Sequence, residues 1–98
     1  MKLNELQKIS DPATVQRRFA KYKGADAATL AISNKPDKKY MVTTPAGKSI
    51  HFGSTLPDYT KHKDEQRRTA YLKRSAAIKG AWRDDKYSPN NLARELLW

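Results

Sequence analysis

Two short β-rich runs bracket Thr44-Pro45-Ala46-Gly47, and together they fix a strand register before the rest of the chain is considered. Pro45 has its φ preset for the first inner position of a type I turn and Gly47 is free to take positive φ, so Lys39 to Phe52 predicts a β-hairpin with a bulged turn. With Thr44 paired to Lys48, Val42 faces Ile50 and Tyr40 faces Phe52 on one side, while Met41 faces His51 on the other. One side of the hairpin is apolar and the other mixed, so cover is needed on one face.

The flanking segments predict helices that can supply it. Leu3, Leu6 and Ile9 recur at three-residue spacing, enough for one or two helical turns, and Ser10-Asp11-Pro12 breaks the pattern. We read residues 1–11 as a docking arm and 12–98 as a single domain. Ser10 or Asp11 can cap a helix with Pro12 in its first turn, in which Val15, Phe19 and Tyr22 share a stripe and Gly24 supplies the stop. Ala28 to Ser33 predicts a short strand, followed by turn chemistry at Asn34-Lys35-Pro36-Asp37. Beyond Pro57, Thr60 or Asp64 can cap a helix that runs to Lys79 and ends at Gly80, with Tyr71 and Ile78 on one face and Leu72 beside them. Ser88-Pro89 opens a last helix carrying Leu92, Leu96 and Leu97. The expected fold is a small single α+β domain: a central two- or three-stranded antiparallel sheet flanked by N-terminal and C-terminal helices.

A chain of 98 residues buries only roughly 60–65% of its unfolded surface, so its core is thin and a bound partner can add to its stability. Twenty Lys and Arg against ten Asp and Glu leave a net charge of +10, which favours anionic partners through steering and counterion release. The excess is spread along the chain, +4 over residues 1–24, +2 over 25–57 and +4 over 58–98, so no single tail carries it. The absence of cysteine excludes disulfides, thiolate metal sites and thiol nucleophiles. No stretch approaches the roughly 18 apolar residues of a membrane span, and Met1 to Glu5 lacks the apolar run of a secretory signal.

Catalysis finds little inventory. General acid–base work needs a positioned, tuned pair, and the only imidazoles, His51 and His62, have no obvious partner. His62 with Asp64, or Asp84 beside Asp85, offers too few ligands for a metal, and Pro45-Ala46-Gly47-Lys48 is explained by the hairpin turn rather than by a phosphate loop. The reading is a protein without catalytic residues, metal, cofactor or small-molecule substrate. Two basic clusters stand out: Arg17, Arg18 and Lys21 with Lys23, and Lys61, Lys63, Arg67, Arg68, Lys73 and Arg74. They suit contacts to nucleic acid or to an acidic protein, and equally the solvated face of a small core in which Tyr71, Trp82 and Trp98 are packed. No zinc-finger spacing, RNP-type motif or helix–turn–helix pattern is present, so sequence-specific reading of bases is not expected.

From Lys39 to Trp98 the chain resembles a family of short basic proteins of unknown function from large double-stranded DNA viruses and some phages. The residues that carry the resemblance are Lys39-Tyr40-Met41-Val42, Gly47 to Gly53, and Asp58-Tyr59-Thr60-Lys61-His62-Lys63-Asp64, with Arg67, Tyr71 and Arg74 following. Leu92 to Trp98 is similar to the family's closing element, with Glu95 where an aromatic is usual. The resemblance implies a virion component, present in the virion and inside the host cell during assembly, and carries over no catalytic residue. The first expectation is a minor capsid or cement protein, with Leu3, Leu6, Ile9, Leu96, Leu97 and Trp98 as anchors in larger shell proteins. The alternative is a genome-packaging protein that binds DNA without sequence preference through the two basic clusters.

Overall fold

The computed structural model describes residues 1–98. The hairpin forms in the expected register: β2 (Tyr40–Thr43) and β3 (Ser49–Phe52) pair Tyr40 with Phe52, Met41 with His51 and Val42 with Ile50. In the turn, the Thr44 N–H donates to Lys48 O at 2.8 Å and the Gly47 N–H to Thr44 O at 2.8 Å, with Gly47 at φ 85°. The earlier strand, β1 (Thr29–Ile32), pairs antiparallel with β2, so the sheet is a three-stranded meander in the order β1-β2-β3.

The apolar side of the hairpin is where the core sits. Tyr40, Val42 and Phe52 meet Val15 and Phe19 of α2 (Pro12–Lys23) and Leu92, Ala93, Leu96 and Leu97 from the C-terminal segment, with Leu6 and Ala28 completing the cluster. The Tyr40 and Phe52 rings stack at 5.8 Å between centroids. The last segment begins as α5 (Pro89–Leu92), capped by the Ser88 hydroxyl, and widens into a π-helical turn over Ala93–Leu97. Both Leu96 and Leu97 thereby point inward although they are adjacent in sequence.

Residues 1–11 are part of this core. Leu6, on α1 (Leu3–Leu6), is fully buried, Ile9 packs against the cluster, and the Ile9 carbonyl accepts from the Asp58 N–H at 3.0 Å, while Leu3 is half exposed. Asp11 stands at the head of α2, but its carboxylate accepts from the Thr14 hydroxyl, which lowers its pKa, and caps no backbone N–H. Ser10 is turned inward, its hydroxyl against those of Tyr40 and Thr60.

α3 (Tyr59–His62) leads into α4 (Glu65–Ala76), whose first turn is capped by Asp64, its carboxylate accepting from the Gln66 and Arg67 N–H groups. The helix stops three residues short of the expected Lys79. Side chains from further along the chain take the carbonyls of its last turn: Arg94 bonds Leu72 O at 2.7 Å, Asn90 bonds Ser75 O at 3.1 Å and Arg83 bonds Ala76 O at 2.7 Å. Ile78 consequently lies beyond the helix, 52% exposed, and does not share a face with Tyr71. A 3-10 turn (Trp82–Asp84) bridges to α5. No helix is long and apolar enough to cross a membrane.

Gly53, leaving β3, has φ 85°, and a Cβ there would stand 3.0 Å from Leu97 Cδ1 and 3.1 Å from Lys39 Cβ. Gly53→Ala adds left-handed strain to overpacking and is expected to cost about 1–3 kcal/mol, measured as a lower midpoint in urea unfolding.

Candidate functional site

Under the hairpin exit lies a buried polar knot. Lys39 and Asp58, 1% and 0% exposed, pair at 3.3 Å between Nζ and Oδ2. The Lys39 ammonium also donates to Leu56 O, which ties the Gly53–Pro57 loop to the end of the sheet. The other Asp58 oxygen accepts from the Thr60 N–H at 3.0 Å and from the Thr60 hydroxyl. Thr60 Oγ1 in turn accepts from the Asp11 N–H at 2.9 Å and meets Ser10, whose hydroxyl lies 2.7 Å from that of Tyr40. The knot therefore fastens the junction of α1 and α2 to β2 and α3 at one point.

Burial lowers the Lys39 pKa from the ordinary lysine value, against the upward pull of the Asp58 carboxylate. Burial pushes the Tyr40 hydroxyl up to about 12, and burial together with the Asp26 carboxylate does the same at Tyr87. The two kinds of shift have opposite consequences. A phenol whose folded pKa is raised from 10.0 to about 12 contributes stability that is present below pH 10 and lost as pH climbs toward 12. A lysine whose folded pKa is depressed gains stability as pH rises toward its unfolded value of 10.5. Stability is thus expected to hold or rise up to about pH 10 and to fall steeply above it, with Tyr40→Phe blunting the fall. Urea midpoints taken across that range, with phenolate absorbance followed in parallel, check this.

Beside the knot a groove of about 580 Å³ opens between the Gly53–Pro57 loop, α4 and the C-terminal turn. Phe52, Leu97 and Ala93 form its floor, and one wall is the Tyr71 ring stacked on Trp98 at 4.4 Å and 15°. Lys38, Arg67 and Arg74 stand around it, and none of the fifteen lining residues has an acidic side chain. Burial raises the Tyr71 pKa in spite of Arg94 and Arg74 nearby.

The structure divides the basic clusters by use. Arg68 donates to Trp98 O at 2.7 Å and covers the Tyr59 ring, Arg18 donates to Leu96 O at 3.3 Å, and both are part of the framework that holds the C-terminal turn. Cations suit that place because the carbonyls at a helix C-terminus carry partial negative charge. Lys21 joins Arg18, Arg68 and Arg94 around a second, more polar depression beside Glu95. Arg67 and Arg74 face the first groove, Lys61 and Lys63 lie over the start of α2, and Arg17 and Lys73 are exposed elsewhere. The six residues read as docking anchors also separate: Leu6, Leu96 and Leu97 are inside the core, Ile9 and Trp98 are half-buried, and Leu3 is exposed. A side chain already packed inside its own domain cannot insert into another protein without unfolding it. Sequence reasoning missed Lys38, Lys39, Gly53 and Arg94. Of these, Gly53 carried a visible signal, a glycine directly after a predicted strand.

The histidines lie outside the groove lining. His51 Nδ1 is 2.7 Å from the Ser33 hydroxyl, and His62 Nδ1 accepts from the Asp64 N–H at 2.9 Å with its ring 5.2 Å from that of Trp98. No group of three or more potential metal ligands is brought together.

Fold and site together define a small α+β protein with a cation-rimmed apolar groove. Residues 28–75 match the model of a family of unknown function (DUF5754). The matched segment takes in the whole sheet, the Lys39–Asp58 knot and all but the last residue of α4, whereas α1, α2 and the C-terminal turn lie outside it. Of the likeness read over residues 39–98, the match supports only a family of unknown function, over a span that starts earlier and ends before the closing element. No characterised protein and no solved structure matches the chain.

Proposed function

We propose that this chain is a non-enzymatic structural protein, a minor capsid or cement component that docks onto larger shell proteins of a virion. The observation that carries the docking role is the groove: apolar floor, aromatic wall, cations around it and no acidic side chain. Interfaces draw affinity from apolar anchors seated in desolvated pockets and draw orientation from complementary charge around them. The groove supplies both. Its titratable groups are lysines, arginines and one tyrosine, a set suited to holding anions rather than to acid–base turnover. The viral setting rests on the sequence resemblance described above, and with it goes a location in the virion and, during assembly, in the host cell interior. Quantitative mass spectrometry of purified particles of the source virus tests the proposal. A fixed ratio to the major shell protein is expected, with incorporation of Arg67→Glu/Arg74→Glu down by at least about tenfold, the equivalent of 1.4 kcal/mol. Absence of the chain from particles overturns it.

A second reading, genome association without sequence preference, is favoured by one observation: Arg17, Lys21, Lys61, Lys63 and Lys73 make no ion pair within the chain. If about six phosphates are engaged, log affinity for duplex DNA falls against log salt with a slope near −5. Fluorescence anisotropy from about 50 to 300 mM salt reads this directly, and the shell reading expects weak binding with a shallow slope.

A further inference from the structure

We infer that the occupant of the groove is an acidic segment of the partner protein, with one apolar side chain against Leu56, Ala70 and the Tyr71–Trp98 wall and carboxylates meeting Arg67 and Arg74. This deepens the docking role proposed above and rests on it. Arg67 and Arg74 are seven residues apart on α4, which puts them on one flank about 10.5 Å apart along the axis. Both line the groove, and Lys38 stands with them from the loop before β2. Arg74 and Lys38 have no side-chain hydrogen bond or ion pair in the chain, and Arg67 has only a loose contact of 3.7 Å with the exposed Asp64. Such an exposed pair is worth little and exchanges readily for a better carboxylate. The neighbouring Arg68 and Arg94 are instead committed to backbone carbonyls, so free positive charge is concentrated at the groove.

The accessible apolar lining, from Leu56, Ala70, Tyr71 and Trp98, decides which anion fits. An apolar surface gains from an apolar side chain and not from a sugar-phosphate backbone. Base stacking needs an open aromatic face, whereas the Trp98 ring is already engaged by Tyr71 at 4.4 Å and by His62 at 5.2 Å. A volume of about 580 Å³ lies within the range of sites that enclose a ligand and exceeds what one side chain fills, so flanking backbone enters as well.

The test is calorimetric titration of the full chain with the blocked peptide Glu-Glu-Leu-Phe-Glu-Glu, in which glutamates four positions apart share one face of the extended chain at about 13 Å. Binding is expected, weakened at least about tenfold when the four glutamates are replaced by glutamine, or Leu and Phe by alanine. The same loss is expected for Arg67→Glu/Arg74→Glu, and for Ala70→Trp, which fills the groove without touching its charge. These side chains are exposed on α4, so unchanged melting of the variants is expected to accompany the loss. Equal binding of the glutamine peptide, undiminished binding by Ala70→Trp, or displacement of the peptide by oligothymidylate overturns the assignment. If the peptide does not bind while particles still contain the chain at fixed ratio, the occupant is wrong and the docking role stands. If particles lack the chain, the role itself falls.

Discussion

Asp58→Ala is expected to remove about 3–5 kcal/mol of stability, a large share of the 5–15 kcal/mol that a domain commands. The reason is the partner left behind. Lys39 is 1% exposed, and without the carboxylate its ammonium is a buried charge with only a carbonyl for company. The pair itself is not a strong source of stability. Asp58 Oδ2 receives no aligned hydrogen bond, and desolvation outweighs the Asp58 attraction in setting the Lys39 pKa. The magnitude therefore comes from breaking the pair, and replacing both members, as in Lys39→Met/Asp58→Asn, should recover part of the loss. Urea unfolding of the three chains measures it. A loss below about 1 kcal/mol for the alanine variant would place the pair in contact with water.

Removing residues 96–98 is expected to leave the chain unfolded at 25 °C. Leu96 and Leu97 are 0% and 1% exposed, and emptying each site costs about 2–5 kcal/mol, so together they approach the whole stability of a small domain. The carbonyl partners of Arg18 and Arg68 at Leu96 and Trp98 go with them. Circular dichroism and proton chemical-shift dispersion report the result. A truncated chain that keeps native dispersion would show that the last turn is a detachable arm.

The hairpin was legible because three local signals agree: alternation along both strands, Pro45 at the turn and Gly47 free for positive φ. The start of α4 was legible for the same kind of reason, a capping aspartate directly before a run free of glycine and proline. Its end was not. The helix closes at Ala76 because Arg83, Asn90 and Arg94 reach its last carbonyls from seven to 22 residues away, and no local propensity encodes that. The site divides along the same line. Clustering of Arg67, Arg68 and Arg74 could be read from spacing, but their division between groove and framework depends on where Trp98 docks. Lys39 sits in sequence beside Lys38 and reads as one more solvated charge until Asp58 is brought against it. The leucines at 96 and 97 were visible as apolar, and only the core they enter tells an anchor for a partner from an anchor for the chain itself.

The core draws on both Leu6 and Leu97, while the sheet pairs only neighbours in sequence. On the ribosome these two facts separate in time. The meander has all its strands once Phe52 has emerged, yet its apolar face stays open until residues 92–97 follow, which at 5–20 residues per second is a delay of roughly two to nine seconds. During that interval the nascent chain presents Tyr40, Val42 and Phe52 without their final cover. Its exposure to aggregation is thus set less by the finished surface than by how quickly the last helical turn is delivered.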